Sequence, residues 1–391
     1  MPINYAHIQN TLDHYAELTR KKLDEATESF SRANAQLEIA AQHQEAVLNA
    51  IEHAEAEPGN LYTAKPSHEA LLSSFPLPDY PKDYTLIAAD GSQINPSRHR
   101  ALQFCLINVG LIHVEHGSGE APSQQVFSKL LDHDELYTND GRLIGEDEVA
   151  LHRDLFERQF LMEALPASIQ KPTITLTDGP LEVFSGAPFS GDRRQRILDQ
   201  KITIEKRMKN LGVINAGYID KPGAEMVNRM LDIYHQNRDS ANTKYDSKKR
   251  ANKGVSDLAL FQKRLAPGER SSVFYAINKS EEKPEGNDVG FFLLNVSDEL
   301  ENPWLARVEF PAWMANDTAK INILHAILYR DAQVLNPTPY PYVLHRAHEL
   351  AIVMMAEHDE VEEMLISRLN RDNIPLGTMS HKQSLKFLPK R

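Results

Sequence analysis

The chain has 391 residues, 41% hydrophobic and 25% charged, with a formal net charge of −12, enough for one large domain or two with a substantial core. Taken alone, that charge argues against passive adhesion to nucleic acid. It does not exclude an enzyme acting there, because carboxylates that hold divalent metals add negative charge. No apolar run is long enough to span a bilayer, and MPINYAHIQN lacks the basic-then-apolar pattern of a secretory signal. The single cysteine, Cys105, lies in the apolar run LQFCLINVGLI; it excludes an internal disulfide and a thiolate zinc cluster and is expected in the core. A cytoplasmic protein without a membrane segment is the expectation.

Residues 3 to 56 contain neither Gly nor Pro. Apolar side chains recur at Ile8, Leu12, Tyr15, Leu18 and Leu23, then more sparsely at Phe30, Leu37, Ile39, Val47 and Ile51. The pattern predicts one long helix or a helical hairpin, too irregular for a coiled coil throughout. Residues 1–57 are therefore expected to form a helical arm, packed on its own domain or used for dimerisation or partner binding. EPGN ends it, and PSHEALLSSFPLPDYPKDY carries four prolines, so 58–83 reads as a linker into a main domain over 84–391.

In that domain TLIAAD predicts a strand, and ALQFCLINVGLIHVEHG one long strand or two. A helix is expected from about Gly145 to Leu165, then a strand in KPTITLTDGPLE, a charged helix from Arg193 to Leu211 and a strand in GVINAGYID. AEMVNRMLDIYHQ predicts a helix, and RDSANTKYDSKKRANKG a polar loop. SSVFYAIN, VGFFLLNV and WLARVEFP predict strands, followed by a helix at 318–332 and another from near Tyr342. Alternating strands and helices indicate an α/β fold, and adjacent strands without a helix between them indicate a mixed sheet.

Two strands run into Asp-Gly: LIAADGS at Asp90 and TITLTDGP at Asp178. One such pair is an ordinary turn signal. Two, each after an apolar strand, suggest more, because ligand-binding groups collect at strand C-termini in open α/β sheets. Phosphoryl transfer by paired metals needs hard oxygen ligands held close together. A third carboxylate is available on the helix between them. At about 100° per residue Glu157 shares a side with Ala150, Phe160, Leu161 and Ala164, whereas Glu163 falls with His152 and Gln159. A glutamate among core-facing positions needs a compensating charge. A metal would supply it; so would Arg153 or Arg158. Glu157 is the preferred ligand and Glu163 the alternative. In TPYPYVLHRAHELAIVMMAEH, His348 is four residues from both Leu344 and Ile352 and is expected on the apolar side, while His345 and Glu349 can pair one turn apart. This is not the HExxH spacing of a zinc protease.

DGS after one strand, DG after a second, AGYIDKP, SDLALFQKRLAPGERSSVF, ARVEFPAW and YPYVLHRAHE, in that order from about Tyr84 to about Glu357, resemble the NurA nucleases. The resemblance implies an RNase H-like core and Mn²⁺-dependent (or Mg²⁺-dependent) DNA cleavage, both 5′-to-3′ exonucleolytic and single-strand endonucleolytic. It implies a homodimer working with a HerA-type hexameric translocase in DNA end processing. Matched by motif, Asp90 and Asp178 are the family aspartates, Tyr340 and His348 the C-terminal tyrosine and histidine, and Glu157 is assigned as the helix glutamate. Asp90, Glu157, Asp178 and His348 are then expected to hold metal, with Tyr340 orienting the strand. Lys244, Lys248, Lys249, Arg250 and Lys253 are candidate DNA-backbone contacts or a solvated loop, and Arg193, Arg194 and Arg196 share that ambiguity. Ser92 and the basic segment ending at Arg100 are assigned a phosphate-facing role, and Gly91 a sharp turn. The competing readings are a catalytically weak nuclease-fold subunit that regulates a translocase, and a phosphoesterase with another substrate.

Overall fold

The computed structural model describes residues 3–100, 102–138, 140–182, 191–239, 245–279, 288–299, 301–335 and 337–374. In chain order the elements are α1 (Tyr5–Gln42), α2 (Gln44–Ala56), β1 (Leu61–Pro66), β2 (Ser74–Phe75), β3 (Tyr84–Ile94), β4 (Leu106–His116), β5 (Ser123–Leu130), α3 (His133–Leu136), α4 (Glu146–Glu163), β6 (Thr173–Asp178), α5 (Gly191–Leu211), β7 (Ile214–Asp220), α6 (Met226–Asp239), α7 (Asp257–Phe261), β8 (Arg270–Ser271), β9 (Phe274–Lys279), β10 (Val289–Asn295), β11 (Leu305–Pro311), α8 (Thr318–Ala332), α9 (Tyr342–Ala351) and α10 (Met355–Arg371). Contacts divide the chain into two units that are discontinuous in sequence: Met1–Asp79 with Ile219–Tyr329, and Tyr80–Tyr218 with Arg330–Arg391. No helix among the described residues is long and apolar enough to cross a membrane.

The first unit is built on antiparallel strands in the order β1-β9-β10-β11, with β8 joining β10 to β2. Every residue of β10 and β11 is buried, including Arg307 and Glu309, which pair at 2.7 Å. Helix α1 starts at Asn4, whose side chain accepts the N–H of His7 at 3.1 Å. Its C-terminal part buries Ala33, Leu37 and Ala40, whereas Ile8, Leu12, Tyr15, Leu18 and Leu23 are exposed. The expected linker is structured. Residues 61–66 form β1, paired along its length with β9, and Leu71 is buried. Gln44, at the start of α2, donates to the carbonyls of Ser67 and Glu69 and accepts the N–H of Leu71. Glu69 in turn pairs with buried Arg270 at 2.8 Å. Proline content misread this segment because β1 is an edge strand of this sheet, where Pro66 removes no ladder bond from an interior neighbour.

The second unit has the order β7-β6-β3-β4-β5, with β7, β6 and β3 parallel and β4 and β5 antiparallel. An antiparallel three-strand meander whose first strand is extended by two parallel strands is the RNase H-like arrangement, a mixed sheet as expected. Side chains alternate across it. Ile87, Ala89, Val109 and Leu111 join Leu155, Phe156 and Leu161 of α4, and Ile197, Ile204 and Met208 of α5, in one core. Cys105 is buried in it. On the other face lies α9, seated by Gly110: a Cβ there would come within 2.6 Å of Leu350 Cβ and 2.7 Å of the Ala351 backbone nitrogen.

Gly110→Ala is therefore expected to displace α9. Overpacking of this kind costs about 1–3 kcal/mol, which urea denaturation would measure. An unchanged midpoint would mean that α9 is not held by this contact.

Candidate active site

Strand β3 does not end at Asp90. It continues to Ile94 because β4 pairs with it throughout, from Tyr84 opposite His116 to Ile94 opposite Leu106. The expected sharp turn at Gly91 is absent. What stops at this level is the parallel pairing with β6, whose last pair is Ala89 with Thr177. The next positions on the two strands are Asp90 and Asp178. Strand β6 does end at its aspartate, which pairs with Tyr218 of β7, and Gly179 follows with φ 91°, the left-handed turn that the sequence predicts.

Asp90 shares a sheet face with its partner Gly110, the face that α9 covers. Its carboxylate is fixed from two sides, by the Gly91 N–H at 2.8 Å on Oδ1 and by His348 Nδ1 at 2.7 Å on Oδ2. The His348 side chain is 59% exposed. The face that α9 buries is instead Val343, Leu344, Ala347 and Ala351, so the expectation that His348 lies on the apolar side is corrected. It flanks that stripe and reaches the sheet through Asp90. His345 and Glu349 do approach each other, at 3.5 Å. Tyr340 hydrogen-bonds Asp178, and its ring meets Tyr218 edge-on with centroids 5.5 Å apart. Burial, then the Asp178 and Asp90 carboxylates, push the Tyr340 phenol well above its usual range, so it stays protonated and donates.

Glu157 comes from the opposite face. It is 5% exposed on α4, lies against Gly91 and feels the charge of Asp90. A Cβ at Gly91 would come within 2.6 Å of both Glu157 Oε1 and Arg153 Cγ. The glycine is thus required by side-chain passage, not by a turn. Burial, and next the charge of Asp154, raise the Glu157 carboxyl well above 4.5; Arg153 opposes them, with Nε 3.5 Å from Oε1, and Asp90 raises it further. Asp154 itself pairs with Lys201 and, at 3.1 Å, with Arg158; burial raises its carboxyl, but these cations outweigh it and hold it low. Burial, then Arg158, lower the Lys201 ammonium to about 8. Sequence reasoning named Arg153 only as a possible partner and missed Asp154 and Lys201, because their pairing joins α4 to α5. Glu163, the alternative carboxylate, is exposed and lines a hollow with Thr203 and Arg207.

Several predicted contacts are engaged in structure instead. The Ser92 hydroxyl donates to the Ala351 carbonyl, which also accepts Asn108 Nδ2 at 2.9 Å. Arg100 pairs with Glu362 and Asp359. Arg193 donates to the carbonyls of Asp134, Glu135 and Tyr137, at the end of α3. Arg250 is corrected as a DNA contact: its side chain is buried between Asp232 at 2.7 Å and Glu225 at 2.6 Å. Lys248, Lys249 and Lys253 are exposed and belong to the first unit, and Lys244 lies outside the described residues.

The donor set suits a hard divalent cation. Asp90, Glu157 and Asp178 supply only carboxylate oxygens, and a buried glutamate beside an aspartate carries charge that a cation would compensate. Their ligand atoms are not drawn together into one tight cluster. Among the described residues, the one group of three whose candidate atoms all lie within 4.8 Å of one another is His358, Asp359 and Glu362, whose two carboxylates already pair with Arg100.

A family model described as the NurA domain matches residues 84–353. No characterised, curated protein compared with the chain matches it significantly. Among solved structures, the NurA nuclease from Sulfolobus solfataricus is 10% identical, with 74% of this chain and 85% of that one covered and a TM-score of 0.44. A NurA structure with manganese is 12% identical, with coverage of 76% and 91% and a TM-score of 0.37. The catalytic domain of human endonuclease V is 12% identical, with coverage of 74% and 85% and a TM-score of 0.31.

The raised Glu157 carboxyl makes a signed prediction for the metal-free protein. The folded state prefers the protonated acid, so ionisation costs nothing below about 4.5 and progressively more stability as pH rises toward the folded value. Glu157→Gln should raise the melting temperature at neutral pH, and that gain should vanish as the pH falls to 4.5. A gain independent of pH would contradict the burial of an ionising Glu157.

Proposed function

The chain belongs to the NurA family, and from that premise we propose that it is a nuclease that hydrolyses DNA phosphodiesters with Mn²⁺ or Mg²⁺. The observation that carries this reading is the placement of Asp90 and Asp178 at matched levels of two parallel strands, with a buried Glu157 lying against Gly91 and interacting electrostatically with Asp90.

Asp90, Glu157 and Asp178 would hold the cation, with His348 as a further ligand or as a phosphate contact. When bound, the cation supplies an activated water and charge stabilisation at the scissile phosphate. The chain's own side chains orient that chemistry. His348 fixes the Asp90 carboxylate through Nδ1, and its second ring nitrogen is assigned to the phosphate or the leaving oxygen. Tyr340 holds Asp178 by hydrogen bonding and is assigned to orienting the DNA strand as well. Lys248, Lys249 and Lys253, with Lys244, are proposed backbone contacts. Family membership further supports 5′-to-3′ exonuclease and single-strand endonuclease action, a homodimer, and work with a HerA-type hexameric translocase at DNA ends.

Purified protein should cut single- and double-stranded DNA with Mn²⁺ and not with EDTA. Asp90→Ala should lower that rate by about a thousandfold or more while its melting curve stays cooperative. Undiminished cleavage by the variant would remove Asp90 from the site. A wild-type chain that binds its translocase but never cuts DNA would favour a regulatory subunit.

A further inference from the structure

The ion pair on Glu157 is loosely made. Arg153 Nε stands 3.5 Å from Oε1 and has no hydrogen-bond partner among the described residues. Its stem crosses Gly91, with Cγ 2.6 Å and Cδ 3.0 Å from where a Cβ would sit, and its side chain remains 36% exposed. The neighbouring arginine on α4 is different. Arg158 is buried and committed to Asp154 at 3.1 Å and to the Leu181 carbonyl at 3.3 Å. Lys201 is committed to Asp154 as well. One cation of this group is therefore tied neither to a hydrogen bond nor to a closed pocket, and it lies across the backbone between Glu157 and Asp90.

A divalent cation that ligates Glu157 Oε1 competes with Arg153 for that oxygen. We propose that Arg153 is a substrate-contacting residue held in reserve: it rests beside Glu157, partly offsetting its charge, until a divalent cation takes its place there, and its guanidinium then turns to a phosphate of the bound DNA strand. The inference rests on the nuclease reading above. The chemistry suits arginine, whose planar fork stays charged at any working pH and matches two phosphate oxygens, while its stem keeps its place over Gly91. Gly91 then serves two side chains at once, giving Glu157 its reach and Arg153 its pivot.

The test uses the full chain as wild type, Arg153→Gln and Arg153→Lys. Mn²⁺ affinity is measured by electron paramagnetic resonance without DNA, and kcat and KM on a single-stranded oligonucleotide at saturating Mn²⁺. Arg153→Gln removes a competitor of the metal, so its Mn²⁺ Kd should fall by about two- to fivefold, the range of a partly exposed ion pair. Its KM should rise by about tenfold, as expected for one lost charge-assisted phosphate contact. Arg153→Lys keeps the charge and should keep the wild-type Mn²⁺ Kd, with an intermediate KM. A merely structural arginine would instead weaken metal and DNA binding together. If Arg153→Gln does not fold, a wild-type KM in Arg153→Lys overturns the inference. A wild-type chain that binds Mn²⁺ and cuts DNA, with Arg153→Gln no tighter for Mn²⁺ or unchanged in KM, overturns it alone. A wild-type chain that binds no Mn²⁺ overturns the nuclease reading and the inference with it.

Discussion

The absence of a side chain at Gly91 is the constraint on which the candidate site depends. The sheet separates two environments, with the α4 and α5 core on one face and α9 on the other. Asp90 faces α9, and Glu157 starts from α4. Two carboxylates on opposite faces can approach one another only where the strand between them is bare. Any side chain at position 91 would occupy the space of the Glu157 carboxylate and of the Arg153 stem. The result is a concentration of negative charge whose Glu157 part Arg153 meets only at 3.5 Å. That deficit, more than the presence of acidic residues as such, is what makes a divalent cation the natural occupant.

The second support is α9, which carries His348 to Asp90, with the segment that leads into it, which carries Tyr340 to Asp178. Its attachment is itself polar and apolar together. Gly110 lets the helix backbone approach the sheet, and the Ala351 carbonyl at its C-terminus accepts from Ser92 and Asn108. Asp331 accepts the N–H of Val343 at 3.1 Å, anchoring the first turn. With both ends tied, His348 can hold Asp90 despite being largely exposed. Ser92, which in the sequence invites a phosphate, instead secures the helix that carries His348.

Much of this was legible from residue pattern. The strands around Asp90 and Asp178, the helix carrying Glu157 and the turn at Gly179 follow from periodicity and turn chemistry, which act over a few residues. Glu157 is buried and Glu163 exposed, as helical spacing indicates, although His152, which that spacing places with Glu163, is buried as well. The misreadings involve partners distant in sequence. Strand β3 passes Asp90 because β4 pairs with it to the end, and residues 61–66 form a strand because β9 lies beside them. Arg250 looked available for DNA because Asp232 and Glu225 are remote in the chain. His348 was assigned to the apolar side by spacing from Leu344 and Ile352, yet Ile352 lies beyond the end of α9 and is exposed.

The central claim is where the metal sits. Crystals grown with Mn²⁺ and measured at the manganese absorption edge would locate it by anomalous scattering. The account predicts a peak coordinated by Asp90, Glu157 and Asp178. A peak confined to His358, Asp359 and Glu362, or elsewhere with those three carboxylates left unligated, would contradict it.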